Sequence, residues 1–358
     1  MTRFFKKTDW SLTAAVLTIT AFGLVNLLTG NINLFYRQLN WVMIGVAFLF
    51  LIPAINLKQL ASYRWIVVGI FIFSLLLLLS THFFGITINY SRSWVSIGPI
   101  NFQPSEFAKI ALIIALAHFF SRSHIGIKRP EIILKSFIYC ALPVFLILLE
   151  PDVGGALIFL GIWFGYLLIS GLPLKYLAAS LPFLIIVSAL IWQFGFQDYQ
   201  RNRILALFSP DADPLGVNYN VIQSRIAIGS AGLWGKGLGQ GAQVRLGFLP
   251  AARTDFAFAA LVEEWGIIVG ALIISLFGFI IWRISQIGIR SYGNFYKFLC
   301  AGVILFLGLQ FAINMGSVLG LLPVVGVALP FLSYGGSNLL TSFILIGIVQ
   351  NIVARNTT

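Results

Sequence analysis

Residues 65–83 read WIVVGIFIFSLLLLLSTHF and contain no Asp, Glu, Lys or Arg. At about 1.5 Å of rise per residue, a helix of this length can cross a hydrocarbon layer about 30 Å thick. The whole chain has the same character, since hydrophobic residues are 59% of its 358 residues and charged residues only 9%. A soluble domain carries roughly a quarter charged residues. Water is therefore not the main solvent of this chain, and we predict an all-α membrane protein.

Stretches long and apolar enough to span a membrane recur along the chain. They are 10–30, 38–56, 65–83, 104–120, 133–149, 152–171, 174–194, 259–283, 297–320 and 336–353. We therefore predict a polytopic bundle of about ten transmembrane helices in one domain over residues 1–358. A large extracytoplasmic loop, about 195–258, is expected between helices 7 and 8. No small-residue cleavage site follows MTRFFKKTDW, which favours a retained first helix over a signal peptide.

The basic charge balance of the chain predicts its orientation. Lys and Arg number 23 against 11 Asp and Glu, for a net charge of +12. Basic chains commonly bind nucleic acid, but in a membrane protein the positive-inside rule explains such an excess. With both termini in the cytoplasm, 14 of the 23 cations lie on the cytoplasmic side. We predict a multi-pass protein of the cytoplasmic (inner) membrane and no nucleic-acid partner.

Six cations on the opposite side are concentrated in the 195–258 loop. They are Arg201, Arg203, Arg225, Lys236, Arg245 and Arg253. Glycines and apolar residues surround several of them, as in IAIGSAGLWGKGLGQG at 226–241. Such a segment is expected to return to the membrane surface, where arginines suit an anionic head group such as a lipid diphosphate. An ordinary solvated loop is the alternative.

Ionisable residues near the spans form three groups. Glu106 and Lys109 lie in QPSEFAK at 103–109, three residues apart on one helical face, where they form either a simple ion pair or a polar pocket facing an outer cavity. Glu150 and Asp152 flank Pro151 and indicate a broken helix pair, for which we favour a structural role over a functional one. Asp255, at the outer end of the eighth helix, either caps that helix with Thr254 or acts in catalysis.

The sequence lacks the signatures of several enzyme classes. HExxH, Walker, GxSxG and CxxC patterns are absent, and the three histidines are scattered, so no metal site is predicted. A carboxylate among cations at a membrane surface suits a different reaction. It can remove a proton from a sugar hydroxyl while the cations neutralise a departing diphosphate. That is glycosyl transfer from a polyprenyl-diphosphate sugar.

Five motifs carry a resemblance to a known family. They are SWVSIGPINFQPSEFAK at 93–109, EPDVGGA at 150–156, QSRIAIGSAGLWGKGLGQG at 223–241, LPAARTDFAFA at 249–259 and LPFLSYGGS at 329–337. With these motifs in order, nearly the whole chain resembles the SEDS family (shape, elongation, division and sporulation), the RodA and FtsW group. The short termini are more similar to the RodA branch, which implies a role in cell elongation and cell shape.

The resemblance implies a peptidoglycan glycosyltransferase that polymerises lipid II at the outer membrane face. Asp255 then matches the family's essential aspartate, the general base toward the GlcNAc 4-hydroxyl of the acceptor. Glu106 and Lys109 match a polar pair, and Trp94 matches a tryptophan needed for activity. The implied partner is a class B penicillin-binding protein with transpeptidase activity. The resemblance implies no firm cofactor and is compatible with a divalent cation at the diphosphate.

Two other function classes compete with a transferase. A lipid II flippase would use the same intramembrane charges, but its polar site belongs near the midplane, commonly between repeated halves. A scaffold that only recruits an enzyme would give Asp255 and the loop cations no task.

Overall fold

The computed structural model of the chain describes residues 8–88, 91–98, 100–173, 175–176, 178, 192–193, 198–208, 216 and 218–356. Numbered within these residues, the helices are α1 Trp10–Gly30, α2 Ile32–Leu51, α3 Leu57–Ser62, α4 Arg64–Phe84, α5 Pro104–Ser123, α6 Pro130–Leu148, α7 Val153–Ile169, α8 Asp198–Phe208, α9 Tyr219–Ser230, α10 Ala242–Arg245, α11 Ala257–Trp265, α12 Ile267–Ile289, α13 Asn294–Val318 and α14 Gly336–Asn356. The strands are β1 Gly85–Ile88, β2 Ser91–Ile97 and β3 Ile100–Phe102.

The long apolar helices confirm a multi-pass membrane protein. In the part of the chain that the structure describes, eight helices are long and apolar enough to cross a membrane, and α7 is a shorter apolar helix of 17 residues. Together they correspond to nine of the predicted stretches. The remaining stretch, 174–194, falls almost entirely outside the described residues. The predicted helical bundle is confirmed.

The stretch predicted as one helix over 259–283 is two helices, α11 and α12. Gly266 separates them with φ of 89°, a backbone conformation that side chains other than glycine rarely adopt. A Cβ at this position would also overlap the carbonyl of Leu233. The break therefore comes from close packing of the glycine-rich loop, which an apolar pattern does not reveal.

A small antiparallel sheet, ordered β1-β2-β3, was not predicted. Ile86 faces Trp94 across the first strand pair, and Val95 faces Phe102 across the second. β2 alternates polar and apolar residues only in part, so its period-two signal is weak. The sheet leads directly into α5.

The connections between helices gather at two ends of the bundle. At the end that holds Asp9 and Gln350, close to the first and last described residues, Arg283 Nε lies 2.7 Å from Asp9 Oδ2 and Gln350 Nε2 donates to Asp9 O at 2.9 Å. We call this the terminal end. At the other end, called the loop end, the segment after the β-sheet meets the start of α14, where the main-chain N–H of Gln103 donates to Ser337 Oγ at 3.1 Å.

α5 is the central helix of the site. It packs against α4, α13 and α14, and it begins at the loop end with Pro104 at its first position, where a missing N–H has no consequence. Its first two turns carry Glu106 and Lys109 into the bundle, where both side chains are buried.

Candidate active site

Asp255 lies in a turn whose backbone is fixed by side chains from two other segments. Asn314 Nδ2, on α13, donates to the main-chain oxygen of Asp255 at 2.8 Å and to that of Val327 at 2.8 Å. Ser333 Oγ donates to the main-chain oxygen of Thr254 at 2.6 Å. Because each bond holds the main chain, the position of Asp255 is set independently of its carboxylate.

The Asp255 carboxylate does not cap a helix. The N-cap of α11 is Phe256, and no side chain caps that helix. Among the described residues, none donates a hydrogen bond to the carboxylate; the charge of Arg203 acts on it instead. The capping interpretation is therefore wrong. Burial raises the pKa of Asp255, and the Arg203 guanidinium opposes that rise.

Arg203 and Arg225 lie together at the loop end. Arg203 Nη1 donates to the main-chain oxygen of Val324 at 2.9 Å. Arg225 donates from Nε to Leu319 O at 2.9 Å and from Nη2 to Gly320 O at 3.2 Å. Both guanidinium groups line one open cleft together with Gly320 and Val324 and are exposed to solvent. Two of the six predicted cations thus line one cleft. The charge of one of them, Arg203, also lowers the pKa of Asp255.

Three other predicted cations do not line this cleft. Arg201 donates to two main-chain oxygens just before α8, at 2.9 and 2.8 Å. Arg245 Nη1 donates to Gln240 Oε1 at 3.1 Å. The Arg253 guanidinium packs over Gly30, where a Cβ would lie 2.8 Å from its Nε and Nη2. The sequence predicted that only two or three of the six cations bind the diphosphate, and these three lie outside the cleft that Arg203 and Arg225 line.

Lys236 has a structural partner. Its Nζ lies 3.0 Å from Oε1 of Glu263, which is fully buried on α11. The same oxygen accepts the main-chain N–H of Gln243 at 3.1 Å. Glu263 therefore fastens the glycine-rich loop to α11, a role that the sequence analysis did not assign to it.

The predicted ion pair between Glu106 and Lys109 is present. Lys109 Nζ lies 2.7 Å from Glu106 Oε1, with side chains 5% and 6% exposed. Asn338 Nδ2, on α14, reaches the Glu106 oxygens at 3.4 and 3.5 Å and Gln310 Oε1 at 3.1 Å. The Lys109 ammonium also lies 5.8 Å from the centre of the Phe306 ring. The pair is thus the centre of a buried polar cluster.

Asp152 joins this cluster electrostatically. It is the N-cap of α7, accepting the Gly155 N–H through Oδ1 at 2.8 Å, which confirms the predicted structural role. Burial raises its pKa; the Gly155 hydrogen bond and Lys109 lower it, and Glu106 raises it. Its charge is therefore felt by both members of the buried pair.

Glu150 lies in the connection between α6 and α7. Thr81 Oγ1, on α4, donates to its Oε1. Burial raises the pKa of Glu150 to about 7, against the Thr81 hydrogen bond and with help from the Asp152 charge. The broken helix pair therefore holds a carboxyl group that titrates near neutral pH.

Trp94 lies half-buried on β2, opposite Ile86. β3 and Gln103 connect its sheet to the start of α5. The structure therefore places Trp94 on the sheet that precedes the helix carrying Glu106 and Lys109. Among the described residues, no group of three or more His, Cys, Asp or Glu side chains is arranged to hold a metal ion.

Several polar residues of the site escaped the sequence analysis as candidates. Asn314 and Gln310 lie four residues apart within the apolar α13, and Asn338 lies in the first turn of α14. All three are buried. Polar side chains inside spans were the signal that could have found them.

Comparison with known proteins shows the family of this chain. The FTSW_RODA_SPOVE family of cell cycle proteins matches residues 8–358. The peptidoglycan glycosyltransferase MrdB of Escherichia coli strain K12 is 34% identical over 327 residues, covering 90% of this chain and 86% of MrdB.

Two solved structures share the fold. One, described as "Structural coordination of polymerization and crosslinking by a peptidoglycan synthase complex", matches with a TM-score of 0.83 and 32% identity, covering 98% of both chains. The rod shape determining protein RodA of Thermus thermophilus matches with a TM-score of 0.72 and 28% identity, again covering 98% of both chains. The chain therefore belongs to the FtsW/RodA/SpoVE family.

Proposed function

We propose that this chain is a peptidoglycan glycosyltransferase that polymerises lipid II, with Asp255 as general base. The observation that carries the proposal is the Asp255 carboxylate itself. Its main chain is fixed by Asn314, the carboxylate accepts no hydrogen bond from the described residues, and the Arg203 charge faces it. Within the described residues this carboxylate has no structural hydrogen bond, which leaves it available for chemistry.

The proposed reaction joins two lipid-linked sugars. Asp255 removes the proton from the 4-hydroxyl of the acceptor GlcNAc while the hydroxyl oxygen attacks the anomeric carbon of the donor. A new C–O bond forms, the bond from that carbon to the diphosphate oxygen breaks, and the polyprenyl diphosphate leaves with the electron pair. A base whose pKa is raised toward the working pH is more effective in such a transfer. Burial acts on Asp255 in that direction.

The departing diphosphate needs positive charge. Arg203 and Arg225 are the cations we assign to it, because both are exposed in one cleft. Each guanidinium offers five N–H donors in a planar fork. Arg225 uses only some of its donors on the carbonyls of Leu319 and Gly320. In this cleft the cations would stabilise charge that develops in the transition state.

The remaining predicted site residues are proposed to support substrate binding from further away. Glu106 and Lys109 form a buried ion pair near the start of α5, and Trp94 lies on the sheet that leads into α5. Arg201, Arg245 and the other loop cations are proposed to contact lipid head groups. Their dispersal in the structure fits a weaker and less specific task.

The proposal places the protein in the cytoplasmic membrane, with both termini in the cytoplasm and the loop end outside. The distribution of cations along the sequence supports this orientation. We also propose a class B penicillin-binding protein as partner, supplying the transpeptidase. The similarity to a chain of a peptidoglycan synthase complex supports this partner.

One experiment separates the transferase from the flippase. The purified protein is reconstituted in liposomes whose fluorescent lipid II lies entirely in one leaflet. Glycan polymer is measured on gels, and transbilayer movement is measured by the accessibility of lipid II to an external quencher. We expect polymer without net movement. Movement without polymer would establish the flippase, and neither activity would leave only the scaffold.

A further inference from the structure

The glycine-rich loop carries an apolar tip outside every membrane span. Leu233 is 62% exposed, Trp234 is 80% exposed, and Leu238 further along the loop is 49% exposed. Soluble surfaces rarely expose neighbouring large apolar side chains without a partner. This tip therefore needs an apolar environment that the bundle does not supply.

Backbone hydrogen bonds hold the tip against the start of α12. The Ile267 N–H donates to Gly232 O at 3.0 Å, and the Ile268 N–H donates to Leu233 O at 3.4 Å. Gly235, with φ of 80°, packs so closely on α11 that a Cβ would overlap the carbonyl of Glu264. The exposed side chains are thus displayed from a fixed backbone.

The same bonds set the height of the tip relative to the membrane. Ile267 and Ile268 are the first two residues of a candidate span, and they are 47% and 44% exposed at the start of its lipid-facing surface. A span enters the bilayer at its first apolar residues. Leu233 and Trp234 therefore lie where the α12 surface meets the head groups, the level at which tryptophan is enriched in membrane proteins.

We propose that the Leu233–Trp234 tip inserts into the boundary between head groups and acyl chains of the leaflet at the loop end. The partner is the lipid surface itself, and the contact continues the lipid-facing surface of α12. The loop also bonds to the end of α11, through Lys236 N to Glu263 O and Gly237 N to Glu264 O, both at 3.0 Å. The anchor thereby fixes the height of α11 and of the Asp255 turn above the bilayer. This inference does not depend on the proposed reaction.

Depth-dependent quenching tests the proposal. A bimane label is attached to Trp234→Cys, and separately to Leu238→Cys, in liposomes containing only this chain. The native Cys140 and Cys300 are 0% and 1% exposed, so labelling of the new cysteine is selective. Leu76→Cys, on the lipid-facing side of α4, serves as the deep control, and the exposed Ser96→Cys of β2 serves as the aqueous control.

We expect the label at 234 to be quenched several-fold more by a spin label near the head groups than by one deep in the acyl chains. The Leu76→Cys label should show the opposite order, and the Ser96→Cys label should respond mainly to aqueous iodide. The label at 238 should follow the label at 234 or lie slightly shallower. Iodide quenching at 234 as strong as at 96 would overturn the proposal. Shielding of 234 from both lipid and water quenchers would also overturn it, because protein would then cover the tip.

Discussion

Removing one member of the buried pair should destabilise the protein strongly. In Glu106→Gln the Lys109 side chain, which is 5% exposed, loses the carboxylate that lies 2.7 Å from its Nζ. Breaking a buried pair from one side costs about 3–5 kcal/mol, because it leaves an uncompensated buried charge. Asn338 cannot replace the lost partner, because its amide carries no negative charge. We expect the free energy of unfolding to fall by that amount.

The second member of the pair tests whether the two residues are coupled. Lys109→Met should destabilise by a similar amount, since it leaves the Glu106 carboxylate buried. The double variant, Glu106→Gln with Lys109→Met, removes both charges and should lose less stability than the two single variants added together, by at least about 1 kcal/mol. The exchanged pair, Glu106→Lys with Lys109→Glu, should recover only part, because an acid is preferred in the first turn of α5.

The assay is unfolding by sodium dodecyl sulfate in mixed micelles, followed by far-ultraviolet circular dichroism. Lys135→Met, an exposed lysine on α6, is the matched control and should change stability by less than about 0.5 kcal/mol. Strict additivity of the two single variants in the double variant would refute the coupling. Single losses no larger than that of the control would refute the burial argument itself.

Three further predictions concern the loop end and its approaches. Asn314→Leu should lower turnover of lipid II far more than it changes the KM, because it frees the turn carrying the proposed base; an unchanged turnover would remove this positioning role. Arg203→Gln and Arg225→Gln should weaken binding of lipid II much more than binding of undecaprenyl alcohol. The control Arg245→Gln should affect binding of both lipids little. Equal losses for both lipids in the first two variants would assign Arg203 and Arg225 to the membrane surface. The pKa of Glu150 is raised from 4.5 to about 7, so its contribution to stability is fully present below about pH 4.5 and is lost as pH rises through about 7, by on the order of 3 kcal/mol. Glu150→Gln should flatten that pH dependence, and a wild-type slope retained in the variant would show that another group causes it.

The sequence predicted those features of the fold that repeat locally. Apolar stretches such as 65–83 identify spans because a membrane demands about twenty consecutive apolar residues. The Glu106–Lys109 pair was predictable for a similar reason, since a spacing of three places both side chains on one helical face. Each of these inferences needs only one helix.

Features that depend on distant segments were not predictable from pattern. The Asn314 bond to Asp255 joins residues 59 positions apart, and no periodicity encodes it. Lys236 and Arg203 look alike in the sequence, yet one pairs with a buried glutamate and the other lines the cleft. The break at Gly266 likewise follows from the loop that packs on it. Tertiary contact decided each case.

The most direct test of the account is the rate of glycan polymerisation by Asp255→Asn. The amide keeps the shape of the side chain and cannot accept the proton, while the bonds from Asn314 and Ser333 to the turn hold only the main chain and should persist. General base catalysis contributes roughly 10²–10⁴-fold, so polymer formation from lipid II should fall by at least that range with normal folding and membrane level. Glu131→Gln, at an exposed acid in the first turn of α6, should polymerise at the wild-type rate. Polymer made by Asp255→Asn at a near wild-type rate would contradict the assignment.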